Sequence, residues 1–383
     1  MGLSKREFKK PLEGLVVLEF SEHLAGQIAG LRLADLGARV IKVECSNTQR
    51  RKTEFFSTYN RNKESYAFEL NDHGQRSLER LLEKADVLIV SLTGNGLQEW
   101  QPEVERAFGC QPGIIYGRIT GYGQDEWNAT DESQITERLD DDLFIQSFAG
   151  IPWLNGDRDD PPIPFPLSVV EKLTAVNLVQ GILAALVRRA TCSGKGMQVE
   201  VSLLESAIDL QFELITTFLN DGRKLPERSR VSNAHVYLAA PYGIYETKAG
   251  YLALAMGSVI QLAKLLNCDT LLPYADPESW FTQRDEIKRH LSVHLKQKTA
   301  SEWVSLLEKG GYWCMQVQTV NDLLDHDAFH VLNMVHPVED SYGQMNKAFR
   351  CPIRIDGNLL VSPKGPPSLG EDTTIIEHSL CQS

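Results

Sequence analysis

Short aliphatic runs alternate with amphipathic stretches over the first two hundred positions. Residues 14–20, GLVVLEF, form a β-branched and aliphatic run flanked by turn signals, the pattern of a buried strand. Residues 24–36 place apolar side chains at helical spacing, and Gly37 fits a helix C-cap. Residues 38–44, ARVIKVE, read as the next strand, which completes a strand–helix–strand unit. The pattern recurs as an amphipathic helix over 74–85, a strand over 86–90 and another strand over 114–119. Such alternation predicts an α/β fold, a parallel sheet with helices on both faces and right-handed connections. Residues 152–168 are rich in Pro, Asp and Gly and read as a loop. A long apolar helix over 169–190 stops at Cys192-Ser193-Gly194-Lys195-Gly196, followed by a strand over 197–202 and a second long helix over 203–220. The polar stretch 222–236 reads as a linker, and a smaller unit follows, with a hairpin over Tyr242–Ala255 and helices to about 310. The tail returns to strand-like and loop-like text with many prolines, and no solenoid-type repeat is present.

Composition narrows the function classes. The 383 residues carry a net charge of −12, with 42% hydrophobic and 23% charged residues. This is ordinary globular usage, sufficient for two or three domains or one large domain with an insertion, and it excludes a disordered chain or a small disulfide scaffold. The negative charge argues against a nucleic-acid partner. The apolar runs fall short of the ~20 residues that span a bilayer, so no membrane partner is expected. The N-terminal MGLSKREFKK is basic but lacks the apolar stretch of a signal peptide, and Arg6 stands where a myristoylation motif wants Ser or Thr. Seven cysteines, at 45, 110, 192, 268, 314, 351 and 381, are scattered and never form a C-x-x-C pair. They read as small buried hydrophobes in a reducing compartment, and a cytoplasmic protein is expected.

Most local motifs have bland explanations. Gly26 and Gly30 lack the remaining glycine of a dinucleotide fingerprint, so close packing of the helix is the better reason for them. His326 and His330, like His290 and His294, have the spacing of two ligands on one helix face. Neither pair has the Glu and third ligand of a metalloprotease site, and no metal is expected. The acidic stretch 125–142 does not match an EF-hand loop and reads as a solvated loop. Residues 39–63 are more informative. Arg39, Lys42, Arg50, Arg51, Lys52, Arg61 and Lys63 face only Glu44 and Glu54 there, a local excess of positive charge in an acidic chain. Such a reversal suits a polyanionic small ligand whose phosphates Lys and Arg would hold.

An ordered set of segments resembles the class III CoA-transferases, the family of formyl-CoA transferase and carnitine CoA-transferase. It runs from Pro11-Leu12-Glu13-Gly14 through Leu24-Ala25-Gly26 and the stretch Leu33–Glu44 to Asn60-Arg61-Asn62-Lys63. It continues with Ala85–Leu88, Gly121–Gln124, Gly181–Leu186, Ser193–Gly196, Ser202–Glu205, Pro241-Tyr242-Gly243 and Leu369–Thr373. The resemblance implies a Rossmann-like large domain built from both chain ends and a smaller α+β domain, in an interlocked dimer. On this chain the division would be 1–221, 222–325 with linkers, and 326–383 returning to the large domain.

The chemistry implied is acyl transfer through a carboxylate, with coenzyme A and acyl-CoA as substrates, a carboxylic acid as acceptor and no permanently bound cofactor. The carboxylate attacks a thioester, forms a mixed anhydride and then an enzyme-bound CoA thioester. The family's Asp nucleophile falls on Glu171, and a family glycine four residues later falls on Ala175. The extra methylene of Glu moves the carboxylate by more than ~1 Å, enough to cost ~100-fold in rate. The resemblance also carries CoA binding to His23, Leu24, Ala25, Lys42, Arg61, Asn62 and Lys63, with Lys42, Arg61 and Lys63 at the ADP end. It carries acid-substrate contacts to Asp141, Asp142 and Gly257. The family's second CoA motif is replaced by Ser91–Gly96, which loses an aromatic and an arginine. A missing His at Asp141 argues against the related acyl-CoA racemases. Three functions remain: a subunit of a heteromeric, benzylsuccinate-type transferase whose paralogous partner carries the Asp, a homodimeric transferase using Glu171, and a CoA-binding scaffold without turnover.

Overall fold

Six parallel strands form the main sheet in the order β3-β2-β1-β4-β5-β6. The computed structural model describes residues 8–46, 54–69, 72–91, 111–123, 141–341 and 343–381. The strands are β1 (Val16–Ser21), β2 (Arg39–Cys45), β3 (Glu64–Phe68), β4 (Val87–Ser91), β5 (Ile115–Thr120) and β6 (Gln198–Ser202). The strand order reverses between β1 and β4, the switch point outside whose carboxyl ends α/β proteins bind ligands.

Period-two alternation sorts the side chains of these strands. Leu18, Phe20, Ile41, Val43, Tyr66, Leu88 and Val90 point to one face, where they pack with Leu78, Leu81 and Leu82 of helix α2 (Asp72–Glu83) and with Ile376 of the C-terminal helix Thr373–Cys381. The other face takes helix α1 (Leu24–Asp35) and the long helix α3 (Val169–Arg188), which pack on each other as well. The helix over Val169–Cys192 is long and apolar enough to cross a membrane by length and composition, a property the sequence reading did not anticipate. Here Leu178, Ile182 and Ala185 of that helix are buried. Gly37, at φ 112°, ends α1 as expected of a C-cap.

Two elements were hidden in the basic segment: the helix Glu54–Asn60 and strand β3 behind it. β3 lies at the sheet's edge, and the C-terminal tail covers it. Asp372 Oδ2 accepts from Ser65 N at 2.8 Å and Thr373 Oγ1 from Ala67 N at 2.9 Å, so the Leu369–Thr373 motif blunts an edge that would otherwise expose backbone donors.

The chain divides into two units. The first holds Met1–Ile145, Ser168–Leu210 and His330–Ser383; the second holds Gln146–Leu167 and Gln211–Phe329. The boundaries differ from 221/222 and 325/326, and the Pro-rich loop joins the second unit. Arginines explain that placement. Arg228 donates to the carbonyls of Asn155, Arg158 and Asp160, which laces the loop to the polar stretch expected to be a free linker. The expected single helix over 203–220 is two helices, Leu203–Asp209 and Phe212–Asn220. In the second unit the expected hairpin is β7 (Gly243–Glu246) with β8 (Tyr251–Leu254), extended by β9 (Cys314–Gln316) into an antiparallel sheet. Its core gathers Tyr245, Leu252, Leu262, Leu291 and Trp303.

Candidate active site

Glu171 stands in the first turn of α3 and is buried. The helix start is capped by a side chain distant in sequence: Asp142 Oδ1 accepts from Val170 N at 2.9 Å and from Glu171 N at 3.0 Å. A carboxylate there is stabilised by the N–H groups and by the helix dipole. Asp142 thus takes two of the backbone N–H donors at the helix start, one of them that of Glu171 itself. Its neighbour Asp141 accepts from Leu143 N at 2.8 Å and opens the helix Asp142–Phe148. Tyr59, from the helix Glu54–Asn60, is the residue that sequence inspection missed. Burial and then the negative charge of Glu171 push its hydroxyl pKa up. Tyr59 therefore keeps its hydroxyl proton. An aromatic just before the Asn60–Lys63 motif was the available signal.

The three cations expected at the ADP end are buried, Lys42 and Lys63 in one ion network and Arg61 in a separate pair. Glu19 on β1 lies opposite Lys42 on β2 in the strand register. Lys42 Nζ is 3.1 Å from Glu19 Oε1 and Lys63 Nζ is 2.7 Å from Glu19 Oε2, with all three side chains buried. Ser21 Oγ also donates to Glu19, at 2.6 Å. Lys63 donates further to the Gln27 carbonyl and Asn60 Oδ1, each at 2.9 Å. Burial pulls the Lys63 pKa down to about 8, against the upward pull of Glu19. Burial alone would raise the Glu19 pKa, but Lys63 and Lys42 hold it below the ordinary carboxylate range. Arg61 forms a two-pronged pair with Asp35, at 2.6 and 2.9 Å. These partners come from β1 and α1, outside the window in which local charge was counted.

The remaining residues are dispersed. Asn62 adopts φ 63° and joins α1 to the tail, donating to the Ala34 carbonyl at 2.9 Å and accepting from Ser362 Oγ at 2.5 Å. His23, Leu24 and Ala25 form the N-terminal turn of α1, with His23 as N-cap. That turn follows β1, at the switch point. Gly26 and Gly30 serve close approach, but to the sheet. A Cβ at Gly26 would stand 2.6 Å from Ser21 Cβ, and one at Gly30 would stand 1.8 Å from Glu19 Oε2. Gly257 belongs to the second unit, where a Cβ would meet the Tyr312 ring at 2.8 Å. His326 closes the helix Val320–Asp325, and His330 lies on the next helix, so the pair does not share one helix face. His294 Nε2 donates to the Leu266 carbonyl and its ring contacts Trp303, while His290 contacts Tyr274. Residues 92–96 and most of the acidic stretch lie outside the described residues.

The model of CoA-transferase family III matches residues 12–373. The chain belongs to that family. It is 28% identical over 392 residues to succinyl-CoA:glutarate CoA-transferase of Mus musculus, covering 96% of this chain and 86% of that protein. It is 26% identical over 347 residues to succinyl-CoA:mesaconate CoA-transferase of Haloarcula hispanica, covering 86% of this chain and 85% of that one. A crystal structure of a CAIB/BAIF family protein from Brucella suis superposes with a TM-score of 0.80 at 28% identity, over 97% of this chain and 99% of that one. The family is enzymatic, and this chain is a CoA-transferase by kinship. The mixed α/β architecture with its six-stranded parallel sheet agrees with that structure.

Proposed function

We propose that this chain transfers CoA between an acyl-CoA thioester and a free carboxylic acid, with Glu171 as the group that carries the acyl and CoA moieties in turn. The supporting observation is a buried glutamate in the first turn of a rigid helix, with a protonated Tyr59 within its electrostatic reach. The Glu171 carboxylate attacks the thioester carbonyl. The C–S bond breaks, and CoA leaves as thiolate from a mixed anhydride. The thiolate then attacks the glutamyl carbonyl, releasing the first acid and leaving a glutamyl-CoA thioester. The acceptor carboxylate attacks that thioester, and the expelled thiolate returns to the new acyl carbonyl, which restores Glu171. Every bond broken is replaced by an equivalent one, so no external reactant is needed. The tyrosine hydroxyl suits the oxyanion formed at each addition.

A dimeric assembly accompanies this reading. The helix Phe212–Asn220 is apolar but has no buried residue, and Phe212 is 67% exposed. Exposed apolar surface on this scale asks for a partner. We assign that role to a second family III chain, interlocked with this one, in the cytoplasm. A paralogous partner bearing the nucleophile is the second reading. It is favoured by Asp142, which holds the two N–H groups beside Glu171. The test is to purify the chain alone and with a co-expressed paralogue, mix each with acyl-CoA, and seek a CoA adduct on the peptide containing Glu171. In the first reading the chain alone forms the adduct, and Glu171→Gln abolishes it and lowers exchange by at least ~1,000-fold. Exchange that survives Glu171→Gln would show that the carboxylate acts elsewhere.

A further inference from the structure

The buried cluster of Lys42, Lys63 and Glu19 is unbalanced. Two ammonium groups face one carboxylate, at 3.1 and 2.7 Å, so one positive charge has no ion-pair partner among the described residues. The neighbouring pair of Arg61 with Asp35 leaves that surplus unchanged, because its own two charges cancel. All of these side chains are buried, so water and salt screen the surplus far less than they would on a surface. Burial also keeps both ammonium groups out of direct contact with a ligand.

The cluster is bonded to both sides of the β1–α1 turn. Lys42 Nζ donates to the carbonyl of Ser21, the last residue of β1, at 2.8 Å, and Lys63 Nζ donates to the carbonyl of Gln27 in α1 at 2.9 Å. The turn between those carbonyls opens a helix of 12 residues at the switch point of the sheet. The His23 side chain makes no capping bond there, and the first turn of α1 holds no acidic residue. Glu22, the carboxylate of the turn, is exposed. A helix start of this kind favours an anion. A second observation at the same place also points to a ligand. Ser91, the last residue of β4, is buried, and its hydroxyl has no hydrogen-bond partner among the described residues. That hydroxyl faces the start of α1, since a Cβ on Gly26 would lie 3.4 Å from Ser91 Oγ.

We propose that Lys42 and Lys63 act without contact on a CoA phosphate held at the β1–α1 turn: Glu19 fixes both ammonium groups against that turn, and their surplus charge draws the anion to it. Both lysines are then positioning residues, and the choice of ligand rests on the transfer function proposed above. Glu19 from β1, Lys42 from β2 and Asp35 from α1 face Lys63, and burial brings its pKa down to about 8. Loss of that proton cancels the surplus. Affinity for the anion therefore falls as pH rises through this value, and by linkage binding near pH 8 takes up protons. The test is calorimetric titration of the full chain with S-methyl-CoA, a thioether that cannot transfer and whose sulfur does not titrate. Wild type should bind about three- to tenfold more weakly at pH 9 than at pH 7.5. At pH 8 the heat should vary with the buffer's ionisation enthalpy in the sense of proton uptake. Lys63→Met leaves a balanced pair of Glu19 with Lys42. It should bind at pH 7.5 as weakly as wild type does at pH 9, with no pH dependence left. Lys63→Arg keeps the charge and should bind tightly at both pH values. Equal wild-type affinity at pH 7.5 and pH 9 would overturn the assignment even if neither variant folded. So would a Lys63→Met chain that kept the pH dependence. In exchange assays, a chain that transfers CoA but binds the thioether equally at both pH values keeps the transfer function and loses this role for the lysines. A chain with the pH-dependent binding and no exchange keeps the role and loses the function.

Discussion

Replacing Glu19 by Gln removes the only carboxylate among the described residues within ion-pair distance of Lys42 and Lys63, whose ammonium groups lie 3.1 and 2.7 Å from it. All three side chains are buried, so water cannot take over the lost counter-charge. Breaking one side of a buried pair costs about 3–5 kcal/mol, against a total stability of about 5–15 kcal/mol. For a domain of this size that loss lowers the melting temperature by about 6–20 °C. The pH dependence has a definite sign. Lys63 is depressed from 10.5 to about 8, so between those values the unfolded chain binds the proton that the folded chain has released. Stability therefore rises with pH across that window, by roughly 3 kcal/mol for a shift of this size. Without Glu19 the upward pull on Lys63 disappears and its folded pKa falls further. The variant's stability then climbs more steeply, and its deficit against wild type narrows at pH 10 relative to pH 7. Urea unfolding at both pH values, followed by tryptophan fluorescence, measures this. A deficit below about 1 kcal/mol at pH 7, or one that is constant with pH, would refute the assignment of a charge-compensating role to Glu19.

Two further substitutions test the scaffold around the site. Asp142→Ala uncaps α3 and should cost about 0.5–2 kcal/mol in unfolding experiments, whereas Asp142→Asn should restore most of it; equal losses would mean that the two backbone contacts contribute nothing. Gly30→Ala would ordinarily strengthen a helix by about 1 kcal/mol. Here the added methyl falls 1.8 Å from Glu19 Oε2, so a net loss of about 1–3 kcal/mol is expected. The same change in a Glu19→Gln background should be non-additive, and strict additivity would show that the methyl meets something else.

Much of the first unit was legible as pattern. The runs ending at Phe20, Glu44, Val90 and Ile119 lie within one residue of the ends of β1, β2, β4 and β5, because aliphatic strands between amphipathic helices carry a clear period. β3 was obscured because Glu64 and Ser65 make it polar, and its pairing with the tail lies about three hundred residues away in sequence. The break at Leu210–Gln211 leaves no proline or glycine to mark it. The position of Glu171 at a helix start was readable from the apolar run after it. That Asp142 would cap the start, and that burial and then the charge of Glu171 would raise the Tyr59 pKa, was not, since each interaction joins separate elements.

By itself the sequence determined the alternation of elements and membership of a family of CoA-transferases, both properties of local order along the chain. Only tertiary structure decided what the charges do. Lys42 and Lys63 look like free cations in a basic segment, yet strand register and helix packing set both against one buried carboxylate. Electrostatic energy depends on distance in space and on exposure to water, and neither follows from separation along the chain.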